Sequence, residues 1–561
     1  MLDRLYTYRR LALIAVFSLV TIGAFAQDDW DNDGEIEDVE IEIVKDREIK
    51  LPRSSRNFDK IPPVSLESKK PEVTYFFSNL NLPIPDLALR VRPLRMKDEP
   101  LRKLYGNYVK AGFGNYTTPY FEGYVTSKRN RDHMYGSHVR FLQSQKGPVD
   151  GKNSGSGMFD ASAFGKLFGT VVTVSGDVGY KRRAYHHYGY PDDAVVSEDT
   201  LDHQYNDVYL QASLENTDKS SKLDYLIGLQ FNNLTDNYSA HESEVQLDFR
   251  GAYQLGEVAS FNLLSDLDIM SLKDETLDVK TRNLFRIKPS FEFEYEGFMI
   301  DAGFNVVYEN DTLGDSDELH FYPDVKARYV LESGFEIHAG IRGDVEKLTY
   351  RKLAYENPFI GPDVRPYNAY KTIEVYGGIG GALTSKLGFG AGISVASFKN
   401  MHYFVNRFDD VSKFMVIYDT GNTQVFNLNG HLGYNRSETF RLGLRADVWG
   451  YDTDELDNAY HKPKYRVSSN ATYNLFDKVR LTGEAYIMGV NDPLIFSDPN
   501  VDQTPVSLDS FIDINVEAQY LVSDQFSAFV RVNNILSQEY ERYYRYPSRG
   551  LQVMVGASYA F

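Results

Sequence analysis

The last eleven residues of the chain alternate without interruption between two kinds of side chain. One face carries Leu551, Val553, Val555, Ala557, Tyr559 and Phe561, and the other carries Gln552, Met554, Gly556, Ser558 and Ala560. A strand that crosses a bilayer needs about 9 to 11 residues, apolar toward lipid and small or polar toward a lumen, and only a closed barrel satisfies its backbone there. The pattern predicts a membrane-spanning β-strand; the last strand of a soluble β-sandwich is the alternative.

Strand-like segments recur throughout residues 101–561, and about 22 can be counted, with one missed or invented hairpin changing the count by two. Tight turns follow the even-numbered segments, at 296–297, 332–334, 435–437, 476–477 and 523–524. Long connections follow the odd-numbered segments, at 144–155, 183–202, 351–368, 404–422, 491–508 and 536–548. Short periplasmic turns and longer extracellular loops are what a barrel with both termini in the periplasm requires. We therefore predict an all-β fold, a transmembrane antiparallel β-barrel of about 22 strands.

The N-terminal residues indicate export. Arg4, Arg9 and Arg10 precede an apolar run over 11–25, and Ala24, Ala26 and Gln27 fit a cleavage site, so residues 1–26 are predicted to be a signal peptide. The chain has no Cys, which excludes a disulfide framework and a cysteine-ligated metal. Together with the barrel pattern, the signal peptide predicts the outer membrane of a Gram-negative bacterium.

Composition agrees with this prediction. Tyr and Phe number 41 and 35, as expected where aromatic girdles mark both membrane interfaces. The net charge of -19 argues against nucleic acid as a partner.

Alternation also assigns the two faces of the later strands. Side chains such as Leu481, Ile487 and Ile514 are expected to face lipid, and charged residues to face the lumen. The predicted lumen lining comprises Arg441, Arg445, Asp447, Lys464, Arg466, Arg480, Glu484, Asp513, Glu517 and Arg531. Two interpretations remain: a lining that tunes solute passage or docks a plug, and an ordinary hydrated interior.

The C-terminal stretch resembles the end of a TonB-dependent receptor. The resemblance is carried by Asn-Asn-Ile-Leu at 533–536 and by Tyr546, Pro547 and Gly550 before the closing strand. Residues 461–489 also resemble a late hairpin of that family, and the Tyr-rich loops are similar to those of Bacteroidetes barrels. The aromatic C-terminus, Tyr559 and Phe561, resembles the signal that such barrels present to the barrel-assembly machinery. The resemblance implies an outer-membrane transport barrel.

The segment before the barrel departs from that family. Residues 27–100 are too few for the family's globular plug, and their repeated prolines suit an extended periplasmic or lumen-filling path. A reduced or outsourced plug is therefore expected, and coupling to TonB is left open. Val39, Ile41 and Ile43 alternate like an exposed strand, which either pairs with a partner's sheet edge or is a solvated tail without a partner.

Motifs for catalysis are missing from the sequence. It has no G-x-S-x-G elbow, H-E-x-x-H helix or P-loop, so no catalytic residue, cofactor or metal is predicted. Acidic residues over 29–40 match the calcium-loop spacing, but the incoming helix would fall in the signal peptide, which favours a solvated tail. His186 and His187 suggest either an exposed metal contact or, preferably, a solvated loop.

Three hypotheses follow from the sequence. The first is a transport or pore protein with a reduced or outsourced plug, and the second is an accessory structural barrel of an outer-membrane assembly or secretion complex. The third is a barrel enzyme, for which no residues can be named. The expected partners are outer-membrane lipid, the barrel-assembly machinery and a periplasmic or outer-membrane protein.

Overall fold

The computed structural model describes residues 104–197, 200–310, 318–494 and 506–561. The predicted cleavage site at Ala24, Ala26 and Gln27 lies outside these residues. So does the predicted partner strand with Val39, Ile41 and Ile43.

Twenty-two antiparallel strands form one sheet. The first half comprises β1 (Asn107–Gly114), β2 (Thr118–Thr126), β3 (His133–Ser144), β4 (Ser156–Phe168), β5 (Val172–His186), β6 (Asp202–Asn216), β7 (Leu223–Asp236), β8 (His241–Gln254), β9 (Ala259–Lys273), β10 (Asp278–Tyr295) and β11 (Phe298–Glu309). The second half comprises β12 (Glu318–Val330), β13 (Glu336–Glu346), β14 (Ala369–Thr384), β15 (Leu387–Lys399), β18 (Thr423–Arg436), β19 (Phe440–Asp452), β20 (Pro463–Leu475), β21 (Val479–Val490), β22 (Phe511–Leu521), β23 (Phe526–Asn533) and β24 (Gln552–Ala560).

Two further elements stand outside this sheet. A helix α1 (Tyr350–Glu356) lies between β13 and β14, and a hairpin of β16 (Met401–Asn406) and β17 (Phe414–Asp419) lies between β15 and β18. A short 3-10 turn spans Gly151–Ser154. No helix in the described ranges is both long and apolar enough to cross a membrane.

The sheet closes on itself. Strand β1 pairs with β24 over a register that runs from Tyr108 opposite Ala560 to Gly114 opposite Met554. The predicted fold class, an antiparallel barrel of about 22 strands, is confirmed, and each of the 22 predicted segments coincides with a strand. The helix α1 and the β16–β17 hairpin were not predicted.

The two ends of the barrel differ in the lengths of their connections. At one end, which we call the turn end, connections run from two residues, as at 296–297, to six, as at 217–222. At the other, the loop end, they reach 347–368 and 400–422. The predicted alternation of short and long connections is confirmed, with short exceptions at the loop end over 115–117, 237–240 and 274–277.

The two faces of the sheet differ in exposure as the alternation predicts. In β24, Val555 and Tyr559 are exposed, whereas Met554 and Ser558 are buried. Large apolar side chains of other strands, such as Phe291, are exposed in the same way. An apolar outer surface around a closed sheet is what a barrel in lipid presents.

Candidate functional site

Four connections at the loop end pack together, and we call them the loop cap. They are residues 347–368, 400–422, 453–462 and 534–551. Buried apolar side chains from three of them form one cluster with residues of the barrel wall: Leu348, Tyr350, Leu353, Ala354, Ile360, Val364, Phe404, Phe414, Tyr543 and Tyr546 from the cap, and Tyr205, Leu234, Ala240 and Leu272 from the wall and its turns. The fourth connection, 453–462, contributes Ala459 and Tyr460 to a second cluster with Tyr403 and Val405. The loop cap therefore has a hydrophobic core of its own that continues into the barrel.

The N-terminal end of α1 is held by strands well away from its own part of the wall. The backbone N–H groups of Tyr350 and Arg351 donate to the two carboxylate oxygens of Glu242 in β8, each over 2.7 Å. The first N–H groups of a helix lack partners within it and carry partial positive charge, so a carboxylate there is stabilising. The Arg351 guanidinium also lies 2.9 Å from Asp207 in β6.

These contacts carry α1 across the mouth of the barrel. The helix is rooted between β13 and β14, whereas Asp207 belongs to β6, seven strand positions before β13 in the sheet. At about 4.8 Å per strand, seven positions correspond to roughly 34 Å of wall. The chain between β13 and β14 thus extends inward over the lumen and does not stay on the rim.

The C-terminal end of α1 is the point where all four connections of the loop cap meet. Glu356 lies 3.0 Å from Lys462 Nζ and 2.9 Å from His402 Nε2, and its backbone carbonyl accepts a 2.6 Å hydrogen bond from the Tyr543 hydroxyl. Each of the four residues comes from a different connection. We call Glu356, His402, Lys462 and Tyr543 the cap junction.

The cap junction is electrostatically strong. Burial alone would raise the pKa of Glu356, but the Lys462 ammonium and His402 outweigh it and hold that pKa well below its usual range. The carboxylate is therefore ionised at neutral pH. It ties α1 to 400–422 and 453–462 through charge-assisted hydrogen bonds, which are stronger than neutral ones.

Aromatic rings fill the space beside the cap junction. The Tyr546 ring stacks on Phe359 with 3.6 Å between ring centroids and meets Tyr188 edge-on at 4.8 Å. Its hydroxyl donates to the backbone carbonyl of Ser412. Tyr205 of β6 donates to the carbonyl of Pro358 over 3.2 Å. These contacts join the connection between β23 and β24 to both long connections and to the wall.

His461 is buried in the loop cap as a neutral imidazole. Its Nδ1 donates to the carbonyl of Phe404 over 2.9 Å, and its Nε2 accepts from the backbone N–H of Tyr544 over 3.3 Å. Burial lowers the pKa of His461 to about 4, against the smaller effect of the Phe404 carbonyl. If Nε2 were protonated, its N–H would face the backbone N–H of Tyr544, which is also a donor. The two hydrogen bonds therefore require the neutral ring.

Below the loop cap, the register places predicted lumen residues side by side on one face. Asp447 stands opposite Arg466, and Glu517 opposite Arg531. The carboxylate of Glu517 lies 2.7 Å from Arg531 Nε and 2.8 Å from Lys110 Nζ, which joins β22, β23 and β1. The contact between Glu517 and Lys110 crosses the line where β24 closes onto β1.

The remaining predicted residues are not brought into one cluster. Arg445 pairs with Asp447 at 2.8 Å along its own strand, and Lys464 lies 3.9 Å from Asp492. Asp513 accepts a 2.7 Å hydrogen bond from Tyr540 of the loop cap. Arg441, Arg480 and Glu484 form no ion pair within the described residues.

Sequence reasoning missed charged residues of β9, β10 and β13. Arg286 lies 3.0 Å from Asp266 and 2.9 Å from Asp344, and Lys288 lies 2.8 Å from the same Asp344. The alternation used for the later strands would have found these residues if applied to β9, β10 and β13. No local signal marks the cap junction, because its members belong to different connections.

The expectation of a solvated loop at His186 and His187 is wrong. His187 is buried and its ring stacks on His203 with 4.8 Å between centroids. His186 Nδ1 lies 2.8 Å from the carbonyl of Gly155. The connection between β5 and β6 folds onto the loop cap through Tyr188, which buries the His187 ring and leaves His186 half-buried. In the part of the chain that the structure describes, no group of three or more His, Asp or Glu side chains is placed to hold a metal ion.

Comparison with known proteins shows similarity of fold. No protein-family model and no curated protein matches the sequence. Among solved structures, the chain is similar to the ferric-catecholate import receptor Fiu from Escherichia coli K12 in its closed form, with a TM-score of 0.62 and 10% identity over 82% of each chain. It is also similar to the FrpB iron transporter from Neisseria meningitidis, with a TM-score of 0.63 and 11% identity over 82% of each chain. The siderophore receptor PirA from Pseudomonas aeruginosa gives a TM-score of 0.57 and 11% identity over 83% of this chain and 81% of that one. At these identities the likeness establishes the barrel fold alone.

Proposed function

We propose that this protein is an outer-membrane barrel that passes a solute, and that the loop cap closes its extracellular mouth. The observation that carries the proposal is the cap junction, where four connections meet at Glu356 over the lumen. A pore of this size harms the cell unless it is blocked. A block built from loops also leaves the barrel wall intact when it opens.

The outer-membrane placement is supported by the closed sheet with its apolar outer surface. The turn end then faces the periplasm and the loop end faces outward, and Tyr559 and Phe561, both exposed, remain available to the barrel-assembly machinery. The similar structures include proteins named as an import receptor and an iron transporter, which agrees with a transport role.

The polar contacts that attach the loop cap to the wall favour a cap that can open over one that closes the barrel permanently. Ion pairs, tyrosine hydroxyls and backbone N–H groups hold it at Glu356, Asp207 and Glu242, and such contacts exchange for water more readily than an apolar core does. Loops of this kind open and close in many proteins that admit ligands. The reduced or outsourced plug and any coupling to TonB remain predictions.

The test is conductance of the purified protein in planar bilayers. Replacing 349–358 by a Gly-Ser linker removes α1, and the matched control replaces the turn-end connection 217–222 in the same way. We expect a large, steady pore after the first replacement and none after the second. A third form lacks residues 27–100. If only that form conducts, or if the wild type already conducts widely, the loop cap is not the block.

One observation favours the alternative, an accessory structural barrel of an assembly or secretion complex. The core of the loop cap contains large side chains with almost no exposure, including Tyr350, Phe404 and Phe414, as a permanent core does. This alternative predicts that solute never opens the pore and that a protein partner co-purifies in fixed proportion. The transport proposal predicts neither.

A further inference from the structure

A recess lies on the inner wall near the loop end, where β24 closes onto β1. Its volume is about 320 Å³, and the ends of β1 to β5 and of β23 and β24 line it. Its sixteen lining residues include Arg183, Arg531 and Arg549 and no Asp or Glu. The chain as a whole carries a net charge of -19, so this is a local excess of positive charge in an acidic protein.

Arg549 is the arginine without a counter-ion. Its Nε donates to the carbonyl of Lys146 over 3.1 Å, and its Nη2 donates to the carbonyl of Ser154 and to Ser156 Oγ. All three acceptors are uncharged, and Arg549 forms no ion pair within the described residues. A half-buried charge whose acceptors are all neutral is incompletely compensated, so an anion in the recess would be stabilised there.

The other two arginines are held in place by carboxylates outside the lining. Arg183 lies 2.6 Å from Asp160, and Arg531 Nε lies 2.7 Å from Glu517. These ion pairs fix the direction of both guanidinium groups, which lowers the entropy lost when a ligand binds. Each guanidinium has five N–H donors, so donors remain after one carboxylate is bound.

Two side-chain amides complete the donor set. Asn533 and Gln552 stand directly opposite each other in the β23–β24 register. Neither side chain makes a hydrogen bond to the rest of the described chain, and both line the recess. They offer N–H donors to a ligand without adding negative charge.

We infer that this recess binds a solute bearing more than one carboxylate or phosphate group. Arg549 supplies the uncompensated charge, Arg183 and Arg531 supply oriented donors, and the two amides supply neutral ones. Guanidinium groups match both oxyanions through paired hydrogen bonds. The inference rests on the proposed function and assigns a charge class to the solute that the barrel would pass.

The test is isothermal titration of the purified full chain in detergent at low salt, with citrate and pyrophosphate as separate probes. Gln552→Glu places a carboxylate in the recess without changing the size of the side chain or removing a hydrogen bond. Arg549→Gln removes the unpaired charge. The matched control is Arg480→Gln, on the same inner wall near the turn end and outside the recess.

We expect at least one probe to bind the wild type, and binding to weaken as salt is raised. Each recess variant should lower the affinity by at least about tenfold, as for loss of hydrogen bonds to a charged group, while the control stays within about twofold. If Arg549→Gln loosens 145–155 and fails to fold, Gln552→Glu decides the question.

Two results would overturn the inference: neither probe binds, or the control loses as much affinity as Gln552→Glu. Because this titration needs no opening of the barrel, its failure is distinct from failure of the transport proposal. A pore that opens when α1 is removed but binds neither anion refutes the recess alone. Anion binding in a barrel that never opens refutes transport alone.

Discussion

Both ends of this barrel join neighbouring strands, but their connections differ in length and in structure. At the turn end, Glu296 and Gly297 connect β10 and β11 with two residues, both at positive φ. At the loop end, the connection between β13 and β14 takes 347–368, folds a helix and reaches β6, seven strand positions away. The turn end does only what strand pairing requires. The residues added at the loop end build a second hydrophobic core, and we therefore place the function there.

The largest expected effect comes from removing a ring of the loop cap. Tyr546→Ala deletes a buried side chain that stacks on Phe359 and bonds to Ser412, and it should destabilise the cap by about 3–5 kcal/mol. Hydrogen exchange of 400–422 should speed up accordingly, while the strands of the barrel stay protected.

The control for this variant is Phe476→Ala at the turn end, where the ring is 87% exposed. It should leave exchange at 400–422 unchanged. If exchange at 400–422 speeds up equally in both variants, a side chain of the turn end stabilises the loop cap as much as Tyr546 does, which contradicts the difference between the two ends.

Removing the charge of the cap junction should have a somewhat smaller effect. Glu356→Gln leaves the mostly buried Lys462 ammonium without its carboxylate, at a cost of about 1.5–3 kcal/mol. Limited proteolysis within 400–422 should become faster. Asp278→Asn breaks an exposed ion pair with Lys273 at the same end and should change the rate little. If the rate of proteolysis is unchanged in Glu356→Gln, the charge of the cap junction does not hold the loop cap together.

The stabilisation that the neutral His461 ring gives the loop cap should be lost in acid. The pKa of His461 is about 4 in the folded cap and about 6.5 in the unfolded chain, so the unfolded loops bind the proton more readily. The contribution of the neutral ring is complete above pH 6.5 and is lost as the pH falls toward 4. At pH 5 the loss is about 2 kcal/mol. Burial also lowers the pKa of His187, which acts in the same direction.

Hydrogen exchange of 400–422 between pH 7 and 5, corrected for the intrinsic pH dependence of exchange, measures this effect. The protection that the wild type has over His461→Gln should shrink as the pH falls from 7 to 5. The carboxylate of Glu356 remains ionised over this range because its pKa is lowered, so it does not oppose the trend. A pH dependence that survives intact in the variant would contradict the assignment to His461.

The smallest expected effect lies at the turn end. Gly297→Ala places a Cβ at φ 80, 2.9 Å from the carbonyl of Val330, and should reduce barrel stability by about 1 kcal/mol. Gly256→Ala, where an added Cβ meets no atom within 4 Å, is the control. Unfolding in denaturant should distinguish the two, and exchange in the loop cap should be the same in both.

The strands could be predicted from the sequence because each barrel residue faces either lipid or the lumen, and that choice repeats every two positions. Val555 and Met554 illustrate this: one is exposed and its neighbour is buried. The charged pairs across β22 and β23, such as Glu517 with Arg531, follow from the same alternation once the register is known.

The loop cap could not be predicted in this way. The helix α1 has seven residues, too few to show a helical period, and only Thr349, which accepts from the N–H of Lys352, resembles a cap signal. The cap junction joins Glu356 to partners 46, 106 and 187 positions away along the chain. The recess likewise depends on closure of β24 onto β1, which brings Arg183 near Arg531.

The most direct test of the central claim is labelling of single cysteines from outside intact cells with a membrane-impermeant maleimide. The chain has no Cys of its own, so each introduced thiol is the only one. Ala354 lies in α1 within the core of the loop cap and is 5% exposed, whereas Asp193 is exposed on the connection between β5 and β6. If the cap closes the mouth, Ala354→Cys should label at least about 100-fold more slowly than Asp193→Cys, as expected for a site that reacts only on local opening. Equal labelling rates would contradict the claim that the loop cap closes this barrel.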